Sequence, residues 1–173
     1  DLADATYLFD PNRIFSPAGV RATLQRTKNH SESAQREVEN FAAHFLATFA
    51  LDREPVIIAL HNTGGGGLSI KSYLATGDKP TTARIVHVSP HRFAGDFFYV
   101  TDRRFYDYLV ARDFNVTLQD DAHVPDDGSA SVYFARKGIP YLNVEADVKH
   151  LKEQIEMGRA AREMVEHFGL VRR

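Results

Sequence analysis

Four short stretches of this sequence carry side chains able to grip an anion, hold a metal or move a proton. The first is Asp10-Pro11-Asn12-Arg13. The Arg13 guanidinium is a planar fork that matches a carboxylate, and Asn12 adds donors beside it. Asp-Pro-Asn is also good turn chemistry, with Arg13 left in solvent. The second stretch is His61-Asn62-Thr63, followed by the glycine run Gly64–Gly67 and then Leu68-Ser69. A His at the end of a buried strand suits metal ligation or proton transfer. The glycines let a ligand approach the backbone closely, and the plain alternative is a loop beside a hydrogen-bonded His.

The third stretch runs from His123 through Asp126, Asp127 and Gly128 to Ser129. His123 and the two adjacent carboxylates could bind a metal or relay protons. Ser129 after Asp-Gly reads as a helix cap. No Gly-x-Ser-x-Gly elbow surrounds it, so a serine hydrolase gains little support. The fourth is Tyr141-Leu-Asn-Val-Glu145. A carboxylate at the end of an apolar strand must be paired or face a cleft. In a half-dry cleft it gains basicity and becomes a usable general base.

Two further patterns weigh less. His150 and Glu153 have the spacing of a ligand pair, but they open an amphipathic helix and read as its solvated face. Lys71-Ser72 follows the glycine run as in a phosphate-binding loop, yet Ile70 stands where that motif demands Gly.

The elements that must position these groups alternate in type. Residues 1–18 read as irregular, with Pro11 and Pro17 as breakers. Residues 31–50 form an amphipathic pattern with Val38, Phe41, Phe45 and Phe49 as its apolar stripe and Ser31 or Ser33 as cap. Pro55–Leu60 is a short continuous apolar run, which suits a strand buried on both faces. Strands are expected at 84–88, 96–100 and 115–119, a turn and then a strand over 138–144, and helices at 102–113, 129–137 and 150–168. The last helix should turn Leu151, Ile155, Ala161, Val165 and Phe168 inward. The pattern predicts an α/β fold, three α/β/α layers around a central mixed, largely parallel sheet. Such sheets place their sites at the carboxyl ends of strands, where His61-Asn62-Thr63 and Glu145 fall.

Composition sets the outer bounds. The chain has 173 residues, 43% apolar, with 12 Phe and 7 Tyr, which excludes disorder. No linker divides it, so a single domain is expected. The absence of Cys excludes disulfides, thiolate metal sites and a thiol nucleophile, without fixing the compartment. A formal charge of −2 gives no general reason to bind nucleic acid, and no apolar run reaches the ~20 residues of a membrane span.

In order, the four stretches resemble the zinc carboxypeptidase family and its aspartoacylase and succinylglutamate desuccinylase relatives, over roughly residues 8–146. Asn12 and Arg13 resemble the family's Asn-Arg motif that grips a substrate carboxylate. His61, after Val56–Leu60, resembles the third zinc ligand. Gly128-Ser129 with Tyr133 resembles the segment that leads to the last site strand, and Glu145 the general base. The resemblance implies a zinc cofactor and hydrolysis of an amide bond in a small peptide or an N-acyl amino acid, with cell-wall peptides as one candidate. Asn62, His123, Asp127 and Ser129 would join Asn12 and Arg13 around the substrate. The sequence departs from the family pattern in three places. No His-x-x-Glu pair precedes Asn12, the arginine that the family places between that pair and Asn-Arg is missing as well, and His123 occupies about the place of the peptidases' mobile Tyr. The first residue is Asp rather than Met, so the missing ligands are expected in an N-terminal segment ahead of it. The competing expectation is a non-catalytic module that recognises a peptide or glycan carboxylate through Arg13.

Overall fold

The structure is a computed structural model and describes residues 8–28, 30–64 and 67–171. The first seven positions, and Gly65 and Gly66 of the glycine run, lie outside the described residues. Although the sequence shows no linker, the chain groups into two compact units, residues 1–54 with 125–137 and residues 55–124 with 138–173.

In the first unit, helices α1 (Pro17–Arg26) and α2 (Glu32–Thr48) pack on each other. Ser16 opens α1 by accepting from the Gly19 N–H at 3.1 Å. Pro11 and Pro17 do not break structure as expected. Each sits in the first turn of a helical segment, where the N–H it lacks has no partner to lose. Ser31 caps α2 through the Ala34 N–H, as its sequence predicts.

The buried stripe of α2 is Ala34, Val38 and Ala42, set against Val20 and Leu24 of α1. The expected Phe stripe is therefore corrected. Phe41 and Phe49 are exposed and stack along the helix with Phe45, because the small residues let the two helices approach closely while the rings lie to one side. A third helix of this unit, α4 (Ala130–Arg136), ends at Gly138, whose φ of 71° supplies the left-handed residue after the helix.

The second unit is a mixed five-stranded sheet with helices, and so an α/β arrangement as predicted. Its strands are β1 (Ile57–Thr63), β2 (Ala83–His87), β3 (Phe97–Val100), β4 (Val116–Gln119) and β5 (Tyr141–Asp147), in the order β1-β5-β3-β4-β2. The pairs β1·β5 and β3·β4 are parallel, while β5·β3 and β4·β2 are antiparallel.

Helices α3 (Arg103–Val110) and α5 (Leu151–His167) bury one face of the sheet over Phe98, Val100, Val116, Leu118, Leu142 and Val144. On the other face, Phe97 and Tyr99 pack with Ile70, Leu68 and Tyr73. The inward stripe of α5 is Met157, Ala160, Ala161, Met164 and Val165, so Leu151 and Ile155, expected inside, stand exposed. Strand β1 is likewise corrected. It is an edge strand with Ile58 and Leu60 exposed, because an apolar run reports β-branched content but not whether the strand lies at the centre or the edge of the sheet.

Candidate functional site

Both strand-borne candidates lie inside strands rather than after them. His61 and Glu145 are in register on the parallel neighbours β1 and β5. Side chains alternate along a strand, so the two residues share one sheet face. Phe97 of β3 is in register with Glu145 on its other side. One row across the sheet thus reads His61, Glu145, Phe97, and the next reads Ala59, Asn143, Tyr99, Thr117.

Glu145 is buried, at 6% exposure. Burial pushes its carboxyl up to about 7, against a weaker opposing hydrogen bond from Asn143. Its Oε2 has no hydrogen-bond partner among the described residues, and neither have Asn143 Oδ1 and Thr117 Oγ1 in the adjoining row. Orphaned buried polar atoms are uncommon in a folded protein, and three of them gather on this one face. A carboxyl with a midpoint near 7 is half-protonated at neutral pH, which suits it to take a proton and give it back.

His61 is half-buried, and its backbone carbonyl accepts from Gln154 Nε2 of α5 at 3.1 Å. Asn62 alternates onto the opposite sheet face, where its amide reaches the Ala146 carbonyl at 3.5 Å. His123 is exposed in the turn after β4 and pairs with Asp120 at 2.8 Å. That hydrogen bond holds the Asp120 carboxyl below its ordinary value.

In the first unit, Asn12, Arg13, Asp127 and Ser129 come together although more than a hundred residues of sequence separate the two pairs. Gly19 and Gly128 make this possible. A Cβ on either would run into the other's backbone and into the Arg13 carbonyl, and Gly128 adopts a φ of 76°. The Phe15 N–H donates to the Gly128 carbonyl at 3.0 Å. Asp10 caps the short 3-10 turn Pro11–Arg13 through the Asn12 N–H, so the turn reading of this tetrapeptide is correct.

Arg13 Nε lies 3.4 Å from Asp127 Oδ2, and its Nη1 donates to the Asn12 carbonyl. Asp127 also accepts the Ser129 N–H. Ser129 occupies the cap position of α4, but its hydroxyl bonds Ser131 Oγ at 3.2 Å and caps nothing. The capping role expected of it is therefore corrected.

Two groups escaped the sequence reading. Tyr133 donates to Asp52 at 3.0 Å, and Lys137 pairs with the same carboxylate at 2.9 Å. Asp96 and His150 pair at 2.8 Å across 54 residues of sequence, which no local spacing could reveal. Asn143 was within reach, since it stands two residues before Glu145 in a strand and so on the same face.

Among the described residues no group of three or more His, Cys, Asp or Glu could hold a metal ion. A catalytic zinc needs three protein ligands, so His61 with its described neighbours does not complete such a site. The phosphate-loop alternative also lacks its framework. The glycine run leads into a short 3-10 turn, Ile70–Tyr73, rather than an α-helix. No family model, curated protein or solved structure matches this chain.

Proposed function

We propose that this chain carries the proton-transfer group and the carboxylate-gripping group of a hydrolase. Its reaction would cleave an amide bond in a substrate bearing a free carboxylate, of the carboxypeptidase or N-acyl amino acid amidohydrolase type. The observation that supports this most is Glu145, a buried acid with its carboxyl near 7, an unpartnered Oε2, and His61 in register beside it.

In this reading the ionised Glu145 takes a proton from a water and returns it to the leaving amine. Within the first unit, Arg13 and Asn12 are the groups the resemblance assigns to a substrate carboxylate, with Asp127 orienting the guanidinium. Zinc would polarise the carbonyl and acidify the water. Among the described residues His61 is the donor that the resemblance supplies, and the remaining ligands would come from outside them.

The test uses the longest natural polypeptide that contains this sequence, loaded with zinc and assayed on blocked dipeptides and N-acyl amino acids. Expected is hydrolysis that a chelator stops and that Glu145→Gln lowers by about 10² to 10⁴. Arg13→Ala should raise KM more than it lowers kcat. Hydrolysis that survives Glu145→Gln, or none at all from the zinc-loaded protein, sinks the reading. One observation favours a second reading, the incomplete donor set around His61. A recognition module on this scaffold would bind the carboxylate ligand through Arg13 without turnover.

A further inference from the structure

Asp96, at 5% exposure, is a buried carboxylate outside the row just described. It stands immediately before β3, and its two oxygens reach two other elements. Oδ1 accepts the N–H of Asp147, the last residue of β5, at 3.0 Å. Oδ2 meets His150 Nδ1 at 2.8 Å, at the residue that precedes α5. The Asp96 carbonyl accepts from Asn115 Nδ2, which also bonds the Phe93 carbonyl, while Asn115 Oδ1 accepts the Ser89 N–H. The Phe93 ring lies edge-on to the His150 ring at 4.8 Å.

Glu145 lies between the points this carboxylate ties down. The next residue after Asp96, Phe97, is in register with Glu145, and Asp147 is two residues beyond it on the same strand. We propose that Asp96 is a positioning residue for Glu145, closing the end of β5 onto β3 and onto the entry to α5. This rests on reading Glu145 as the working group.

The argument is energetic. Strand ends fray unless something holds their last N–H groups. A buried carboxylate is costly unless charged or polar donors satisfy it, and here the donors belong to the strand end and the helix entry. Bonds to an ionised group are also the stronger kind. The groups facing His150 are Asp96 from the start of β3, Asp147 from β5 and Glu153 from α5. The hydrogen bond that His150 donates to Asp96 contributes most, and together these groups hold the imidazolium above its ordinary range. The clamp is therefore complete below the ordinary imidazole range. It loses its ionic part as pH rises through the raised midpoint, keeping only a neutral hydrogen bond.

Amide hydrogen exchange along β5 tests this without any assay of activity. In Asp96→Ala the amides of Glu145, Ala146 and Asp147 should exchange about tenfold faster, while Leu142 and Asn143 change less than about twofold. Asp96→Asn, which keeps one acceptor and the shape, should restore most of the protection. In the unaltered protein, loosening should appear at the same three amides above the His150 midpoint, once intrinsic rates are divided out. If Asp96→Ala does not fold, His150→Gln removes only the half-buried partner and should give the same local pattern at smaller amplitude. Uniform acceleration along the whole strand, or none in either variant, overturns the proposal. A clamp that passes this test in a protein without hydrolase activity would leave the positioning role standing and remove only the proposed function.

Discussion

The two faces of the five-stranded sheet are built from the same strands by simple alternation, yet they differ in kind. Under α3 and α5 the strands present Phe98, Val100, Val116, Leu118, Leu142 and Val144, all apolar and almost fully buried. On the opposite face the same three strands present Phe97, Tyr99, Thr117, Gln119, Asn143 and Glu145. Three polar atoms there have no partner among the described residues. The first face gains free energy from burying apolar surface, at about 25 cal/mol per Å². The second gives some of that up by holding dry polar groups. Three of the four buried polar atoms without a partner among the described residues lie on this face, the fourth being His87 Nε2 in register with Val116, and their gathering beside an acid with a shifted midpoint is what supports the chemistry proposed there.

Paired substitutions three residues apart on β5 break this comparison most sharply. Leu142→Ala on the sealed face should cost about 2–5 kcal/mol of stability through the cavity it leaves. Glu145→Gln on the polar face should leave stability at pH 5 within about 1 kcal/mol of the original, while removing the hydrolysis proposed above. Chemical denaturation and turnover, measured on both variants, decide it. If Glu145→Gln unfolds the protein as Leu142→Ala does, the acid is a structural group and the faces do not divide the work.

The next effect is in the pH dependence. The folded carboxyl of Glu145 titrates near 7, above its ordinary 4.5, so between those values the folded protein holds a proton the unfolded chain has released. Stability must then fall as pH rises through this window, be complete below it and level off above it. The loss should be on the order of 2 kcal/mol, allowing for water that reaches part of the group. Unfolding free energies at pH 5 and pH 8 should show this difference in the unaltered protein and lose it in Glu145→Gln. The His150–Asp96 pair contributes with the same sign but at higher pH, since its imidazolium is held above the ordinary range.

A smaller effect tests whether the polar face carries a cost at all. Thr117 Oγ1 is buried without a partner, and Thr117 is in register with Tyr99 and Val86. Thr117→Val removes the hydroxyl and keeps the β-branched shape, so it should raise stability by about 1 kcal/mol. A loss of similar size would mean that the hydroxyl is satisfied in solution, by an ordered water for example, and that the face is wetter than its burial implies.

How much of this was legible in the sequence follows from the range of each interaction. The turn and apolar run over 138–144 and the helical spacing in 31–50 are local, and they marked β5 and α2 to within a few residues. Which stripe of a helix is buried depends on what packs against it, so small Ala34 and Ala42 displaced the Phe residues, and Met157 and Met164 displaced Leu151 and Ile155. Glu145 stood out because an acid in an apolar strand is costly wherever the strand lies. The Asp96–His150 clamp and the Gly19–Gly128 approach are meetings of distant segments, and their residues look ordinary until the chain is folded.

The smallest predicted effect concerns the edge of the sheet, where the difference between the faces runs out. Among the described residues β1 pairs only with β5. Its N–H bonds to the β5 side begin at Ile57, which donates to the Pro140 carbonyl, so by alternation Ile58, Leu60 and Asn62 turn their backbone groups to the open side. Ile58 and Leu60 are exposed there, with no charged residue or Pro within Ile57–Thr63 to discourage another strand from adding. Leu60→Lys places such a charge at a position 62% exposed. It should change unfolding free energy by less than about 0.5 kcal/mol, while light scattering at high protein concentration should show less association than in the unaltered chain. A large loss of stability would mean that Leu60 is covered in solution, and that the sealed face extends across β1 to the edge.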